Sequence, residues 1–134
     1  MTSIPGMNGV ELVTVLALIE YSVLGIMVGR ARAKYGVEAP ATTGNPVFER
    51  YFRVHQNTLE SLIVFVPAMW LFGLTLSMFG AASLGVLFLV ARILYVRGYV
   101  ADPKKRAVGA ALTFLCNALL ILGSLAGIIM QSLR

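Results

Sequence analysis

Hydrophobic positions in this chain of 134 residues gather into four long runs separated by short polar stretches. The first runs from about Val10 to Gly29, interrupted at Thr14, Glu20, Tyr21 and Ser22. The second begins near Leu59 and continues to about Phe79, the third covers about Ala81 to Val100, and the fourth about Ala107 to Met130. Each approaches the ~20 residues that cross ~30 Å of hydrocarbon at 1.5 Å per residue. Within lipid only helices and closed barrels satisfy their own backbone. The runs are too long and too evenly apolar for alternating barrel strands. The pattern therefore predicts an all-α membrane protein, a single four-helix transmembrane domain over 1–134 with helices at about 9–32, 46–79, 81–100 and 103–131.

Punctuation between the runs refines this outline. The stretch Ala39-Pro40-Ala41-Thr42-Thr43-Gly44-Asn45-Pro46 cannot be helical throughout. Asn45 is placed to cap a new helix with Pro46 at its first position. Helix two would then begin outside the bilayer and carry Phe48-Glu49-Arg50-Tyr51-Phe52-Arg53 toward it. Met78-Phe79-Gly80-Ala81-Ala82, without a charge, is the expected reversal between helices two and three. Asp102-Pro103 repeats the cap-and-proline signal at the start of helix four.

Composition supports the membrane assignment: 58% of residues are hydrophobic and 13% charged, and the mean hydropathy is +0.83. Ordinary soluble domains carry roughly 25% charged residues. The net charge of +5 suggests no nucleic-acid partner, because the cations form no stripe on a soluble face and sit at the ends of the apolar runs. Arg30, Arg32, Lys34, Arg50 and Arg53 belong to the first connection, and Arg92, Arg97, Lys104, Lys105 and Arg106 to the third; the second has none. The positive-inside rule places loops one and three in the cytoplasm and both termini outside. No Lys or Arg precedes Arg30, so the first run lacks the basic lead of a signal peptide and is expected to be retained. The single Cys116 excludes an intrachain disulfide, and one histidine excludes a multi-histidine metal cage, so no metal site is expected. Cys116, inside an apolar run, reads as a small buried hydrophobe.

Candidate chemistry lies in the polar residues that the helices carry into the membrane. Arg53, Asn57 and Glu60 follow at i, i+4 and i+7 and share one face. Such groups are costly against lipid and must face protein, a cavity or a partner; a buried structural network or snorkelling at the interface is the plainer alternative. Arg92, Tyr95 and Tyr99 repeat the pattern on helix three, where an aromatic belt is the competing account. Lys104, Lys105 and Arg106 open helix four at the end its dipole disfavours for cations. Topogenic charge explains them, and so does a cation that stabilises a thiolate in a polar pocket. Glu20 within helix one is either a proton or substrate site of a small proton-coupled multidrug exporter or a carboxylate satisfied inside the bundle. Gly123 and Gly127 make a small-xxx-small face whose meaning is close helix packing.

The segments Thr42-Thr43-Gly44-Asn45-Pro46-Val47-Phe48-Glu49-Arg50, Arg53-Val54-His55-Gln56-Asn57 with Glu60, and Ala91-Arg92-Ile93-Leu94-Tyr95-Val96-Arg97-Gly98-Tyr99 resemble the helix-two and helix-three signatures of the membrane-associated proteins in eicosanoid and glutathione metabolism, the MAPEG family. The resemblance covers nearly the whole chain. It implies a homotrimer with glutathione as co-substrate, bound between subunits near the cytoplasmic side, and a lipophilic electrophile that enters from membrane lipid. It further implies glutathione contacts at Arg32, Arg53, Asn57, Glu60, Tyr95 and Tyr99, polar positions close to the site at His55 and Arg92, and a thiol-activating role for Arg106. Ser61 replaces a tyrosine of the leukotriene synthase branch, and His55 replaces its glutamine. The implied activity is glutathione transfer, with peroxide reduction as a side activity. Separately, the short second connection and the lack of appended segments lead to the expectation of a bacterial inner membrane. A non-catalytic lipid-binding or scaffold role occurs in the same family.

Overall fold

A computed structural model describes residues 4–134 of the chain. Four helices make up the fold: α1 (Met7–Tyr35), α2 (Pro46–Thr75), α3 (Met78–Ala101) and α4 (Ala107–Ser132), the last preceded by a 3-10 turn at Pro103–Arg106. All four are long and apolar enough to cross a membrane. Helices α2 and α3 each pack against both other helices, so α1 and α4 flank a central pair.

Local chemistry accounts for the helix ends. Helix α1 stops at Gly36, whose φ of 65° is the left-handed conformation that glycine adopts without penalty. Arg32 and Lys34 lie in the last turn, where the dipole favours cations. The Asn45 side chain accepts from the backbone N–H of Val47 at 2.9 Å and Phe48 at 3.1 Å, and Pro46 needs no such partner. Asp102 likewise accepts from Lys104 N–H at 3.1 Å. At 30 residues, α2 is ~45 Å long, more than the ~30 Å of hydrocarbon, and its first turns carry Arg50 and Arg53. From there the Arg50 guanidinium donates to the Val100 carbonyl at 3.1 Å, supplying a partner that the end of α3 lacks internally.

The reversal between α2 and α3 differs from the sequence expectation. It occupies Leu76 and Ser77, while Met78 to Ala82 are already helical. The Ser77 hydroxyl accepts from Gly80 N–H at 2.9 Å, and this cap starts α3 earlier than the end of the apolar run suggested. Helix α2 ends correspondingly at Thr75, α1 runs on to Tyr35, and the cations before Ala107 form a 3-10 turn instead of the first α-helical turn.

The main core is apolar and continuous, centred on Val10, Val13, Ala17, Phe65, Met69, Phe88, Cys116 and Leu120. Phe65 and Phe88 stack with centroids 3.8 Å apart and pin α2 to α3. Cys116 is fully buried there, as a small hydrophobe. Gly123 and Gly127 do mark a close approach, and it is internal to the chain: a Cβ at Gly123 would meet the ring of Phe72, and one at Gly127 the side chain of Thr75, both on α2. Gly109 is tighter still, since a Cβ there would collide with the backbone of Tyr95 on α3. Outward side chains such as Leu12, Ile63, Phe79, Val108 and Leu122 are large, apolar and exposed, as a lipid-facing surface requires.

Backbone cannot step aside as a side-chain tip can, so Gly109→Val forces α4 away from α3. Overpacking of this kind costs about 1–3 kcal/mol. The thermal unfolding midpoint of the detergent-solubilised protein is expected to fall well below that of a surface control such as Leu12→Ala; an unchanged midpoint contradicts the packing.

Candidate functional site

Polar residues that cannot face lipid converge between α2, α3 and α4. A cleft of about 1060 Å³ opens there, lined by Arg53, Asn57, Glu60, Arg92, Tyr95, Tyr99 and Arg106 among others. The helical spacing produces this convergence: Arg53, Asn57 and Glu60 descend one stripe of α2, and Tyr99, Tyr95 and Arg92 descend one stripe of α3 in the opposite chain direction. Gly109 permits the approach of α4 at the level of Tyr95.

Two cations bracket two tyrosines along the α3 wall. The Arg106 guanidinium carbon sits 5.8 Å from the Tyr99 ring centroid. Tyr99 and Tyr95 follow at 5.7 Å between centroids, and Arg92 closes the series 4.3 Å from the Tyr95 ring. Each cation faces the electron-rich side of a ring, which holds ring and guanidinium in register.

Arg92 is 1% exposed, yet it is charged. It donates to the Thr58 hydroxyl at 2.7 Å and to the Thr113 hydroxyl at 3.5 Å. Those hydroxyls donate in turn to carbonyls one turn back on their own helices, Val54 at 2.7 Å and Gly109 at 2.8 Å. Glu20 on α1 lies within electrostatic reach of the same guanidinium. Arg92 Nε alone has no partner. Arg92 thus ties α2, α3 and α4 together at the floor of the cleft, whereas Arg53, Glu60 and Arg106 remain exposed at its upper end. Among the described residues Glu60 is the only carboxylate lining the cleft.

Toward the membrane centre the lining changes character. Val64, Phe114, Ile121 and Leu122 replace the charged groups. Asn117 sits at the transition, donating to the Ser61 carbonyl at 3.4 Å, with its own buried side-chain oxygen unpartnered. Sequence reasoning passed over Asn117 and Thr113, which are spaced i, i+4 on the one otherwise apolar face of α4. An amide within a transmembrane run was the available signal.

Two sequence candidates stand elsewhere. His55 points to the other side of α2 and stacks on Tyr21 of α1, centroids 4.4 Å apart. Arg32 donates to the carbonyls of Ala41 at 2.7 Å and Val37 at 3.3 Å and lies 4.7 Å from the Phe48 ring centroid, pinning the first loop. Neither lines the cleft within one chain. No cluster of three or more His, Cys, Asp or Glu is present among the described residues.

The cleft can accept a small polar anion. Arg53 and Arg106 offer charge-assisted hydrogen bonds to carboxylates or a thiolate, Glu60 accepts from an ammonium, and Asn57 and the tyrosines serve neutral groups. Below it lies space for an apolar chain.

The model of the MAPEG family matches residues 10–126. The chain is 52% identical over 120 residues to an uncharacterized protein of Synechocystis sp., covering 90% of this chain and 88% of that one. It is 40% identical over 114 residues to human microsomal glutathione S-transferase 2, covering 84% and 78%. It is 32% identical over 126 residues to leukotriene C4 synthase of Bos taurus, covering 91% and 84%.

Replacing Arg92 with Met removes the donor shared by Thr58 and Thr113 and the cation within electrostatic reach of Glu20. Hydrogen bonds to charged groups contribute about 1.5–3 kcal/mol each. The thermal midpoint of Arg92→Met in detergent is expected to fall, and Glu20→Gln in the same background to recover part of the loss. Independent, additive effects of the two substitutions would show that they do not interact.

Proposed function

The chain belongs to the MAPEG family, and from that premise we propose that it is a membrane glutathione transferase that joins the glutathione thiol to lipophilic electrophiles. One observation carries the reading: a single cleft whose charged upper end passes, without a wall between, into an apolar lower end. A water-soluble tripeptide thiol and a lipid-dissolved acceptor both find matching surfaces there. The relatives named as glutathione S-transferase and leukotriene synthase support it from sequence.

Residue roles follow from the chemistry each position offers. Arg53 binds a glutathione carboxylate, Glu60 its ammonium and Asn57 a peptide group. Arg106, permanently charged and exposed at the cleft mouth, favours the thiolate over the thiol. Tyr95 or Tyr99 donates a hydrogen bond to the sulfur. The thiolate attacks the electrophilic carbon, a carbon–sulfur bond forms, and the leaving group departs with the bonding pair. Rate comes from holding the sulfur against an acceptor already concentrated in the bilayer, added to the electrostatic preference for the anion. The same thiolate attacking a peroxide oxygen breaks the O–O bond, leaving a sulfenic acid on glutathione and releasing alcohol; a second glutathione thiol then displaces that hydroxyl as water and completes the disulfide. In the cytoplasmic leaflet, where the basic loops lie by the positive-inside rule, glutathione enters from the cytosol.

A homotrimer would complete the site. Arg32 and His55 lie on the α1 side of the molecule, away from their own cleft. A neighbouring copy that presents this side to the cleft brings both toward the bound tripeptide. Sedimentation in density-matched detergent is expected to give three times the protomer mass; a monomer with full activity removes the neighbour's contribution.

Glutathione with 1-chloro-2,4-dinitrobenzene tests the activity on purified protein, followed by the absorbance of the conjugate, with thiolate absorbance measured alongside. Arg106→Ala is expected to lower turnover on the order of 10²-fold, comparable to removal of one preorganised charge-stabilising donor, and to abolish the thiolate band while glutathione still binds. Glu60→Gln is expected to weaken glutathione binding at least ~10-fold, as loss of a paired charge does. Binding without turnover for any electrophile would favour a lipid-presenting role for the fold. Unchanged turnover in Arg106→Ala removes that residue from the chemistry.

A further inference from the structure

A second hollow lies apart from the cleft, at the basic end of α1. It measures about 240 Å³ and is lined by Met27, Arg30, Ala31, Lys34, Tyr35 and Tyr51. Arg30 and Lys34 are i, i+4 neighbours on one helix face, and like charges at that spacing repel. Among the described residues no carboxylate lines the hollow. Lys34 meets the Tyr35 ring, its ammonium 5.5 Å from the centroid. Topogenic charge accounts for cations at this end of the helix. It does not account for their meeting two tyrosines around a shared hollow, one from α2.

The surface directly below settles the kind of anion. Ile26, Val23 and Ile19 precede Arg30 by four, seven and eleven residues and fall within a narrow arc of α1 beneath it. They are 59%, 48% and 52% exposed. From Arg30 to Ile19 the stripe is ~16 Å long, about half the hydrocarbon thickness. We infer that the hollow holds the headgroup phosphate of an anionic phospholipid, with an acyl chain laid along the Ile26–Ile19 stripe. The phosphate accepts from Arg30 and Lys34 and from the tyrosine hydroxyls, and Met27 meets the glycerol end of the chain. A zwitterionic headgroup would add a third cation beside the first two, so a net negative headgroup is selected. Inorganic phosphate satisfies the cations and leaves the stripe bare. The site shares no lining residue with the cleft and stands whether or not the chain is a transferase.

Full-length protein in mild detergent is titrated with phosphatidylglycerol, with phosphatidylcholine of the same acyl chains, and with inorganic phosphate. Lipid retention by native mass spectrometry and the thermal midpoint are the readouts. Phosphatidylglycerol is expected to be retained and to raise the midpoint, and the other two to do neither. Each surface cation near an anionic lipid is worth roughly a factor of five, so Arg30→Gln with Lys34→Gln should weaken phosphatidylglycerol ~30-fold. Arg97→Gln, an exposed cation in neither site, should leave it unchanged. Lys34→Gln alone, expected to cost ~5-fold, decides the matter if the double variant does not elute as folded protein. Equal retention of phosphatidylcholine, equal stabilisation by inorganic phosphate, or full phosphatidylglycerol binding by the variants each overturns the inference.

Discussion

A guanidinium that lipid will not accept organises this bundle. Arg92 sits midway along α3, in a chain whose helices otherwise present apolar surface to the bilayer. Its charge must be met from within, and Thr58, Thr113 and Tyr95 do so from α2, α4 and α3 respectively. Each partner restricts how its helix can rotate, because a turn of the helix would carry the hydroxyl or ring away and leave the cation bare. Packing between lipid-soluble helices lacks the hydrophobic drive it has in water, so directional contacts of this kind carry more of the specification. The apolar core around Phe65 and Phe88 then fills the remainder.

Once those rotations are set, the cleft follows. With Thr58 turned to Arg92, the adjoining face of α2 bearing Arg53, Asn57 and Glu60 opens beside it. With Thr113 turned the same way, Arg106 comes to the mouth and Asn117 to the waist. The arginine at the floor and the exposed arginines above therefore have different tasks despite their common charge. One is enclosed and held by internal partners, while the others are open to an incoming anion.

The polarity gradient in the cleft repeats that of the membrane. Charged groups on α2 lie along its first half, at Arg53 and Glu60, and apolar ones lie deeper, at Val64 on α2 and at Ile121 and Leu122 on α4. Under the proposed function, a tripeptide and a lipid-soluble acceptor would each be met at the depth where they already reside, so neither would cross an unfavourable medium to reach the other. The hollow at α1, for which a lipid headgroup is proposed, follows the same pattern, with Arg30 and Lys34 about one and two turns beyond Met27.

Much of this was determined along the chain alone. Run length dictated four spanning helices, since backbone in lipid has no other partner than itself. Asn45 and Asp102 announced their helices through side chains that cap free N–H groups, and both caps form. Spacing of three, four and seven put Arg53 with Asn57 and Glu60, and Arg92 with Tyr95 and Tyr99, because residues on a helix repeat by angle. Angle within one helix says nothing about which neighbour that face meets. Only the tertiary structure decided that the two stripes share a cleft with Arg106, that Arg92 is enclosed while Arg53 stays open, and that His55 and Arg32 turn to α1 and the first loop. The Ser77 cap and the close approach at Gly109 were decided there as well, for each depends on atoms brought together by packing and not by sequence interval.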